Sequence, residues 1–122
     1  MLSKRRGIKL SITSDLLRGN TDTVLLALLE SKDSYGYEIN KSIKEYSGGE
    51  FTLKEATLYC AFKRLEESGD IESYWGSEAG GARRHYYRIT DRGKNTLERS
   101  RNDWSNARRI LDRLIFGKDE QI

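Results

Sequence analysis

The chain has 122 residues, of which 36% are hydrophobic and 34% are charged, and its formal net charge at pH 7 is only +3. This length favours one domain with a modest core, and the small net charge means that any nucleic-acid site must depend on local clusters of cations. With one cysteine and one histidine, an internal disulfide is excluded, and so is a zinc site of the usual kind without many carboxylates.

The N-terminal segment, residues 1–14, is basic. Lys4, Arg5, Arg6 and Lys9 could touch phosphates, although such a start is more often a flexible arm. It lacks the apolar region of a signal peptide, and no stretch of the chain approaches the ~18 consecutive apolar residues of a membrane span. The single cysteine suits a reducing compartment. A cytoplasmic protein without a membrane partner is therefore expected.

Two helices are predicted in the first half of the chain. Asp15 to Lys32 has a broad apolar face, with Gly19 as its weak point. Tyr35 to Tyr46 has residues at helical spacing that predict a core-facing stripe, which ends where a serine and two glycines follow. The stripe consists of Tyr35, Ile39, Ile43 and Tyr46. Tyr37 points away from it and is a candidate donor to a DNA phosphate.

A third helix is predicted after Thr52. Thr52 and Glu55 have the spacing of a capping box, and Gly69 follows the last turn, where a left-handed cap is favoured. At ~100° per residue, four apolar side chains share one face. They are Leu58, Ala61, Phe62 and Leu65. Phe51 and Leu53 are expected to anchor the entry to this helix in the core.

The other face of the third helix is a candidate DNA-binding surface. Tyr59 and Lys63 lie on it, with Thr57 and Arg64 on a flank. Small residues near the start of the helix, followed by cations, suit a helix that enters the DNA major groove. An ordinary amphipathic helix with a solvated face is an equally good interpretation of this element alone.

A β-hairpin is predicted next. Residues 71–75 and 84–89 alternate with a period of two, which indicates half-buried strands, and glycines at 76, 80 and 81 indicate a mobile tip. Arg83 and Arg84 follow the tip and could lie along a phosphate backbone or enter a minor groove, although exposed arginines are common in solvated turns. Together these elements predict a winged helix-turn-helix domain over residues 15–89.

A long C-terminal helix is predicted over residues 90–117, before a tail of residues 118–122. Thr90 is a plausible N-cap. Leu97, Trp104 and Leu111 are seven residues apart, which is a heptad pattern, and a small domain has little core left to cover it. The expected partner is a second copy of the chain; packing on the first helix is the alternative, and both can hold.

The predicted fold class is thus mainly α with a small β-hairpin (α+β), a winged helix-turn-helix with a long C-terminal dimerisation helix. Several strings resemble the PadR family of transcriptional regulators, most of all its short members with a single C-terminal helix. They are LLRGNTDTVLLALL, SYGYEI, GGEF, LKEATLY, KRLEESGDIESYW and GGARRHYYRIT. The resemblance covers residues 15–116 and implies a homodimeric winged-helix protein, usually a repressor, often of genes for transport or for the response to small toxic molecules.

The resemblance also implies roles for individual residues. The positions that face DNA in the family are Tyr37, Thr57, Tyr59, Lys63, Arg83 and Arg84. A tryptophan at the position of Trp104 can sandwich a small aromatic effector between two subunits. The residues expected beside it are Ser100, Arg108, Asp22 and Thr23. Packing of Trp104 in the dimer seam is the alternative.

One position departs from the family, which commonly has proline where this chain has Cys60. Cys60 restores a normal helical hydrogen bond there and puts a thiol on the outward face. A redox switch is conceivable, but a lone cysteine is more often inert.

The predicted function is sequence-specific binding of double-stranded DNA by a homodimer that represses transcription at a pseudo-palindromic operator, with a small aromatic effector as a further partner. The alternative is a winged-helix protein-interaction module that does not bind DNA. No cofactor and no metal are expected. Catalysis is disfavoured because His85 has no obvious nucleophile as partner.

Overall fold

The computed structural model describes residues 16–17, 19–77 and 81–117. The helices are α1 (Thr21–Ser31), α2 (Gly36–Tyr46), α3 (Glu55–Glu67) and α4 (Asp91–Phe116). The strands β1 (Ser34–Tyr35), β2 (Ile71–Ser77) and β3 (Arg83–Ile89) form one antiparallel sheet in the order β1-β3-β2. The predicted fold class is therefore confirmed, including the long C-terminal helix. The predicted arm and tail, residues 1–14 and 118–122, lie outside the described residues.

The core lies where the helices meet one face of the sheet. Its buried apolar side chains come from every helix, from β2 and β3, and from the segment before α3. They are Leu25, Leu26, Leu29, Ile39, Ile43, Leu53, Leu58, Ala61, Phe62, Leu65, Ile71, Tyr87, Ile89 and Leu97. The predicted buried face of α3 is confirmed, since its four apolar residues are each no more than 3% exposed.

The start of α3 differs from the prediction. The helix begins at Glu55 with Lys54 as N-cap, and no side chain caps it; the predicted capping box at Thr52 is wrong. The reason is a contact from α2, because Asn40 Nδ2 donates to the Leu53 carbonyl at 2.7 Å and the Leu53 N–H donates to Asn40 Oδ1 at 2.9 Å. These two hydrogen bonds keep the segment before Glu55 outside α3.

The end of α3 agrees with the prediction. Gly69 has a φ of +82°, the left-handed conformation that glycine adopts at low cost. The Gly69 N–H donates to the Glu66 carbonyl at 3.1 Å, and the Asp70 N–H donates to the Leu65 carbonyl at 3.0 Å. These two bonds form a Schellman cap, which turns the chain directly into β2.

Two predicted boundaries in the first half are wrong. Residues 16 and 17 are helical but residues 19 and 20 form a turn, so the predicted helix is interrupted at its weak point, Gly19, and α1 begins at Thr21. Tyr35 belongs to β1, where it pairs with Tyr86 of β3, and α2 begins one residue later. A two-residue strand has no periodicity that could reveal it, and its partner is distant in the sequence.

The stripe predicted on α2 is correct at its centre and wrong at its end. Ile39 and Ile43 are buried, whereas Tyr46 is 81% exposed. Tyr46 is the last residue of helix α2. It lines an apolar groove of about 200 Å³, together with Val24 and Phe51. The ring therefore borders an open surface instead of the core.

Thr90 is the N-cap of helix α4, as predicted, and its Oγ1 accepts a hydrogen bond from the Gly93 N–H at 3.0 Å. A Cβ at Gly93 would collide with the Asp70 carbonyl oxygen, so glycine permits the close approach of α4 to β2. Leu97 is fully buried, and Arg101 forms an ion pair with Glu30 of α1 at 3.0 Å. The first two to three turns of α4 therefore pack on the chain's own fold.

Candidate nucleic-acid interface

The outward face of α3 carries the side chains that helical periodicity predicted for it. Tyr59 is 43% exposed, Lys63 is also exposed, and Thr57 is half-buried on the flank. Within the described residues, Lys63 forms no ion pair. The face thus presents a phenol and a free ammonium group beside small residues near the start of the helix.

Tyr59 is held in place by α2. Its hydroxyl lies so close to Gly36 that any Cβ at this position would collide with it, and its ring packs edge-on against Phe62 at 5.7 Å between centroids. Tyr37, next to Gly36, is 73% exposed. The start of α2 is therefore in contact with Tyr59 of α3, and Tyr37 is exposed one residue after that contact.

Arg64 is engaged with α1. Its Nη2 lies 2.6 Å from Asp22 Oδ1 and its Nε lies 3.1 Å from Asp22 Oδ2, the two-point geometry typical of an arginine and a carboxylate. The hydrogen bond and the charge of Asp22 raise the pKa of Arg64 above its ordinary value. A predicted DNA-binding residue and a predicted effector-site residue are thus bonded to each other.

Arg83 and Arg84 lie on opposite faces of β3, in the β2–β3 hairpin, which is here called the wing. The Arg83 guanidinium lies over the Trp75 ring at 5.0 Å, and that of Arg84 lies over the Tyr35 ring at 5.2 Å. Arg83 is exposed, while Arg84 is half-buried and its Nε has no hydrogen-bond partner among the described residues. Period-two alternation makes this separation necessary, so the two cations do not act as one pair.

A continuous stack of rings runs from the wing to α3. Its members, here called the ring column, are Trp75, His85, Tyr87 and Phe62. Trp75 stacks on His85 at 4.8 Å, His85 contacts Tyr87 at 4.8 Å, and Tyr87 stacks on Phe62 at 3.8 Å. Burial raises the pKa of Tyr87 to about 12.

Sequence reasoning did not single out Trp75 or assign His85 a role. The signal was present in the alternation, which puts both side chains on one face of the hairpin. The register then pairs Trp75 directly with His85.

The opposite face of the sheet carries a second aromatic cluster. Tyr74 stacks on Tyr86 at 5.6 Å, and the Arg88 guanidinium lies 5.0 Å over the Tyr74 ring. The Tyr74 hydroxyl donates to Asp33 at 2.6 Å, a bond that raises the pKa of Tyr74. Arg88 is also 3.3 Å from Glu72. The Tyr74 hydroxyl and the Arg88 guanidinium on this face are therefore both engaged with carboxylates.

The candidate effector-site residues are divided between two helices. Trp104 on α4 is 51% exposed, Arg108 is exposed and Ser100 is half-buried; four-residue spacing puts the three on one side of the helix. Asp22 and Thr23 lie on α1, where the Asp22 carboxylate is bonded to Arg64.

Other chemistry has little support in the described part of the chain. No group of three histidine, cysteine, aspartate or glutamate side chains there could hold a metal ion. Cys60 is a free thiol on the exposed face of α3. None of the helices described is both long and apolar enough to cross a membrane.

Comparison with known proteins gives consistent results. The family model for the transcriptional regulator PadR-like family matches residues 25–99. An uncharacterised protein of Lysinibacillus sphaericus is 42% identical over 106 residues, which are 87% of this chain and 97% of the relative.

Solved structures resemble this fold as well. A transcriptional regulator from Clostridium thermocellum is 43% identical with a TM-score of 0.75, covering 82% of this chain and 94% of that one. A PadR family transcription regulator from Clostridium difficile is 39% identical with a TM-score of 0.71, covering 79% and 98%. One from Eggerthella lenta is 26% identical with a TM-score of 0.78, covering 94% and 97%.

Proposed function

This chain belongs to the PadR-like family of transcriptional regulators, and from that premise we propose that it is a homodimeric repressor of a pseudo-palindromic operator. Regulation of transcription through DNA binding is the activity of the family. The observation that carries the proposal is the outward face of α3, where Tyr59 and Lys63 are exposed beside Tyr37 of α2. A regulator of this kind acts where the chromosome is, so we propose a cytoplasmic location.

In the proposed complex α3 enters the major groove. Thr57 and Tyr59 read base edges, while Lys63 and Tyr37 bind phosphates. Arg83 on the wing binds the backbone next to the groove. Two half-sites about one helical turn apart, roughly 34–36 Å, would match two copies of α3.

Arg64 and Arg84 enter this scheme differently from the sequence-based expectation. Asp22 uses the Nε and one terminal nitrogen of Arg64, so the other terminal nitrogen is left to donate to a phosphate. Arg84 is half-buried over Tyr35 and would contribute mainly long-range charge.

The proposed dimer is supported by the surface of α4. Five large apolar side chains on one side of this helix, here called the α4 stripe, are between 46% and 74% exposed. They are Trp104, Ile110, Leu111, Leu114 and Ile115. An exposed apolar surface of this extent marks an interaction site, and a second copy of the same stripe is self-complementary about a two-fold axis.

The candidate effector would bind at the same seam. Trp104 offers a half-exposed indole on which a flat aromatic compound could stack. Ser100 and Arg108, one turn away on either side, add a hydroxyl and a cation. We therefore propose a small aromatic effector with polar substituents.

The second candidate function is a protein-interaction module, and one observation favours it. Of the four candidate cations on α3 and the hairpin, Arg64 is paired with Asp22, and Arg84 lies on the face opposite Arg83. Lys63 and Arg83 are left as exposed cations that no described carboxylate neutralises, which is a modest charge for a DNA-binding surface.

A salt titration of DNA binding separates the two functions. If the dimer neutralises about eight phosphates, log K should fall against log salt with a slope near −7 on DNA from the promoter of its own operon. Lys63→Ala should weaken binding to all sequences and reduce the slope by about 2 per dimer, whereas Thr57→Ala or Tyr59→Phe should change sequence preference. Lys94→Ala, on the exposed surface of α4, is the matched control. A flat salt response would favour the protein-interaction module.

A further inference from the structure

Trp75 is an unusual residue for a wing. Its indole is 59% exposed, although a side chain of this size normally contributes most when it is buried. It lies outside the buried core yet is stacked on one side with His85, and the Arg83 guanidinium lies 5.0 Å over its ring. Packing of the core does not account for this placement.

We propose that Trp75 is a positioning residue for DNA binding, which holds the Arg83 guanidinium in a fixed place relative to α3 through the ring column. The inference rests on the proposed function. Tryptophan is the aromatic side chain that attracts a guanidinium most strongly. An arginine already held over an indole loses less conformational freedom when it binds a phosphate than a freely rotating one.

The ring column connects Arg83 to α3. Tyr87 and Phe62 are only 4% and 1% exposed, and their rings are nearly parallel at 13°. Because close-packed side chains transmit displacement, the position of Phe62 on α3 restricts the position of Tyr87. His85 lies between Tyr87 and Trp75 and restricts the position of the indole in the same way. The wing and α3 therefore meet DNA as one unit.

A second pair on the opposite face gives a matched control. Arg88 lies over Tyr74 at 5.0 Å, the same separation as Arg83 over Trp75, but on the other side of the same hairpin. Tyr74 stacks on Tyr86 and not on a residue of α3. Arg88→Ala therefore removes an arginine–aromatic contact of the same kind without touching the ring column.

The first experiment measures the affinity for labelled operator DNA by fluorescence anisotropy at several salt concentrations. Arg83→Ala should weaken binding and reduce the salt slope by about 2 per dimer. Trp75→Ala should weaken DNA binding about two- to fivefold. The double variant should bind DNA no more weakly than Arg83→Ala alone. Trp75→Phe, which keeps an aromatic ring, should retain most of the affinity that Trp75→Ala loses. Arg88→Ala should leave the salt slope unchanged, and thermal unfolding checks that each variant is folded.

Additive losses in Trp75→Ala and Arg83→Ala, or an unaltered affinity in Trp75→Ala, would overturn the inference while the proposed function stands. Failure of the unmodified protein to bind DNA would overturn both.

A second measurement tests the stack without DNA. In a Trp104→Phe background Trp75 is the remaining tryptophan, and Arg83→Ala should make its fluorescence more accessible to acrylamide quenching. Equal quenching with and without Arg83 would mean that the guanidinium does not cover the indole in solution, and would overturn the inference independently of the operator.

Discussion

At the scale of single residues, Tyr87 shows how one side chain belongs both to the core and to the candidate interface. Its ring stacks on Phe62 of α3 and contacts His85 of the wing. Its hydroxyl is 3.5 Å from His85 Nδ1, a long contact whose donor depends on the histidine tautomer. Burial raises the pKa of this phenol to about 12, because the charged phenolate is poorly solvated there.

The raised pKa predicts a loss of stability in alkali. The folded state holds the Tyr87 proton more tightly than the unfolded state, so this contribution is complete below pH ~10 and is lost as the pH rises towards 12. The size of the effect is about 2–3 kcal/mol. Urea unfolding between pH 9 and 12 should therefore show a steeper decline for the unmodified protein than for Tyr87→Phe, and equal slopes would contradict the assignment.

Arg64 illustrates a different outcome at the same scale. The sequence places Arg64 on the flank of α3, and its charge alone suggests a phosphate contact. In the fold its guanidinium joins α3 to Asp22 of α1. Both side chains are well exposed, so the pair contributes little net stability, and its main effect is to orient the guanidinium.

At the scale of elements, α4 divides into two parts. The first packs on the fold through Leu97, Thr90 and the ion pair of Arg101 with Glu30. The second carries the α4 stripe, whose apolar side chains are about half exposed or more. An isolated helix with such a surface is marginal in water, so the second part is expected to gain its stability from a partner.

A charge in the α4 stripe should therefore dissociate the proposed dimer. Leu114, 74% exposed in the single chain, would face the partner, and Leu114→Lys would bury an unpaired ammonium at the seam. Sedimentation or light scattering at several concentrations should then give the mass of one chain. Asn102→Lys adds the same charge on the other side of the helix and should leave the dimer intact; a dimer that survives Leu114→Lys would exclude this seam.

At the scale of the whole molecule, the two proposed sites share their helices. Helix α1 carries Asp22, which holds Arg64 of α3, and Glu30, which holds Arg101 of α4. Helix α1 is therefore joined by one exposed ion pair to α3 and by another to α4. Such a path becomes a regulatory coupling only if the two sites alter each other's binding.

The proposed binding of an effector at Trp104 can be tested by thermal unfolding. A flat aromatic compound that stacks there at 100 times its dissociation constant should stabilise the protein by about 2.7 kcal/mol. Thermal unfolding with a panel of such compounds should show this for the unmodified protein and for Trp104→Phe, which keeps an aromatic ring, but not for Trp104→Ala. Equal shifts in all three proteins would locate the compounds elsewhere.

The sequence by itself determined the features that depend on neighbours along the chain. The buried face of α3, the left-handed Gly69 and the Thr90 cap all follow from helical periodicity or from hydrogen bonds that span a few residues. The alternation over the hairpin likewise predicted its strands. These local rules also identified the exposed side chains of α3.

Tertiary structure alone decided what those side chains meet. Asn40 forms two hydrogen bonds with the backbone of Leu53, and the expected cap at Thr52 does not form. Arg64 is hydrogen-bonded to Asp22, which is 42 residues away in the sequence. Strand register placed Trp75 opposite His85, so that their rings stack. Such contacts depend on how separate elements pack together, and no spacing along the chain encodes them.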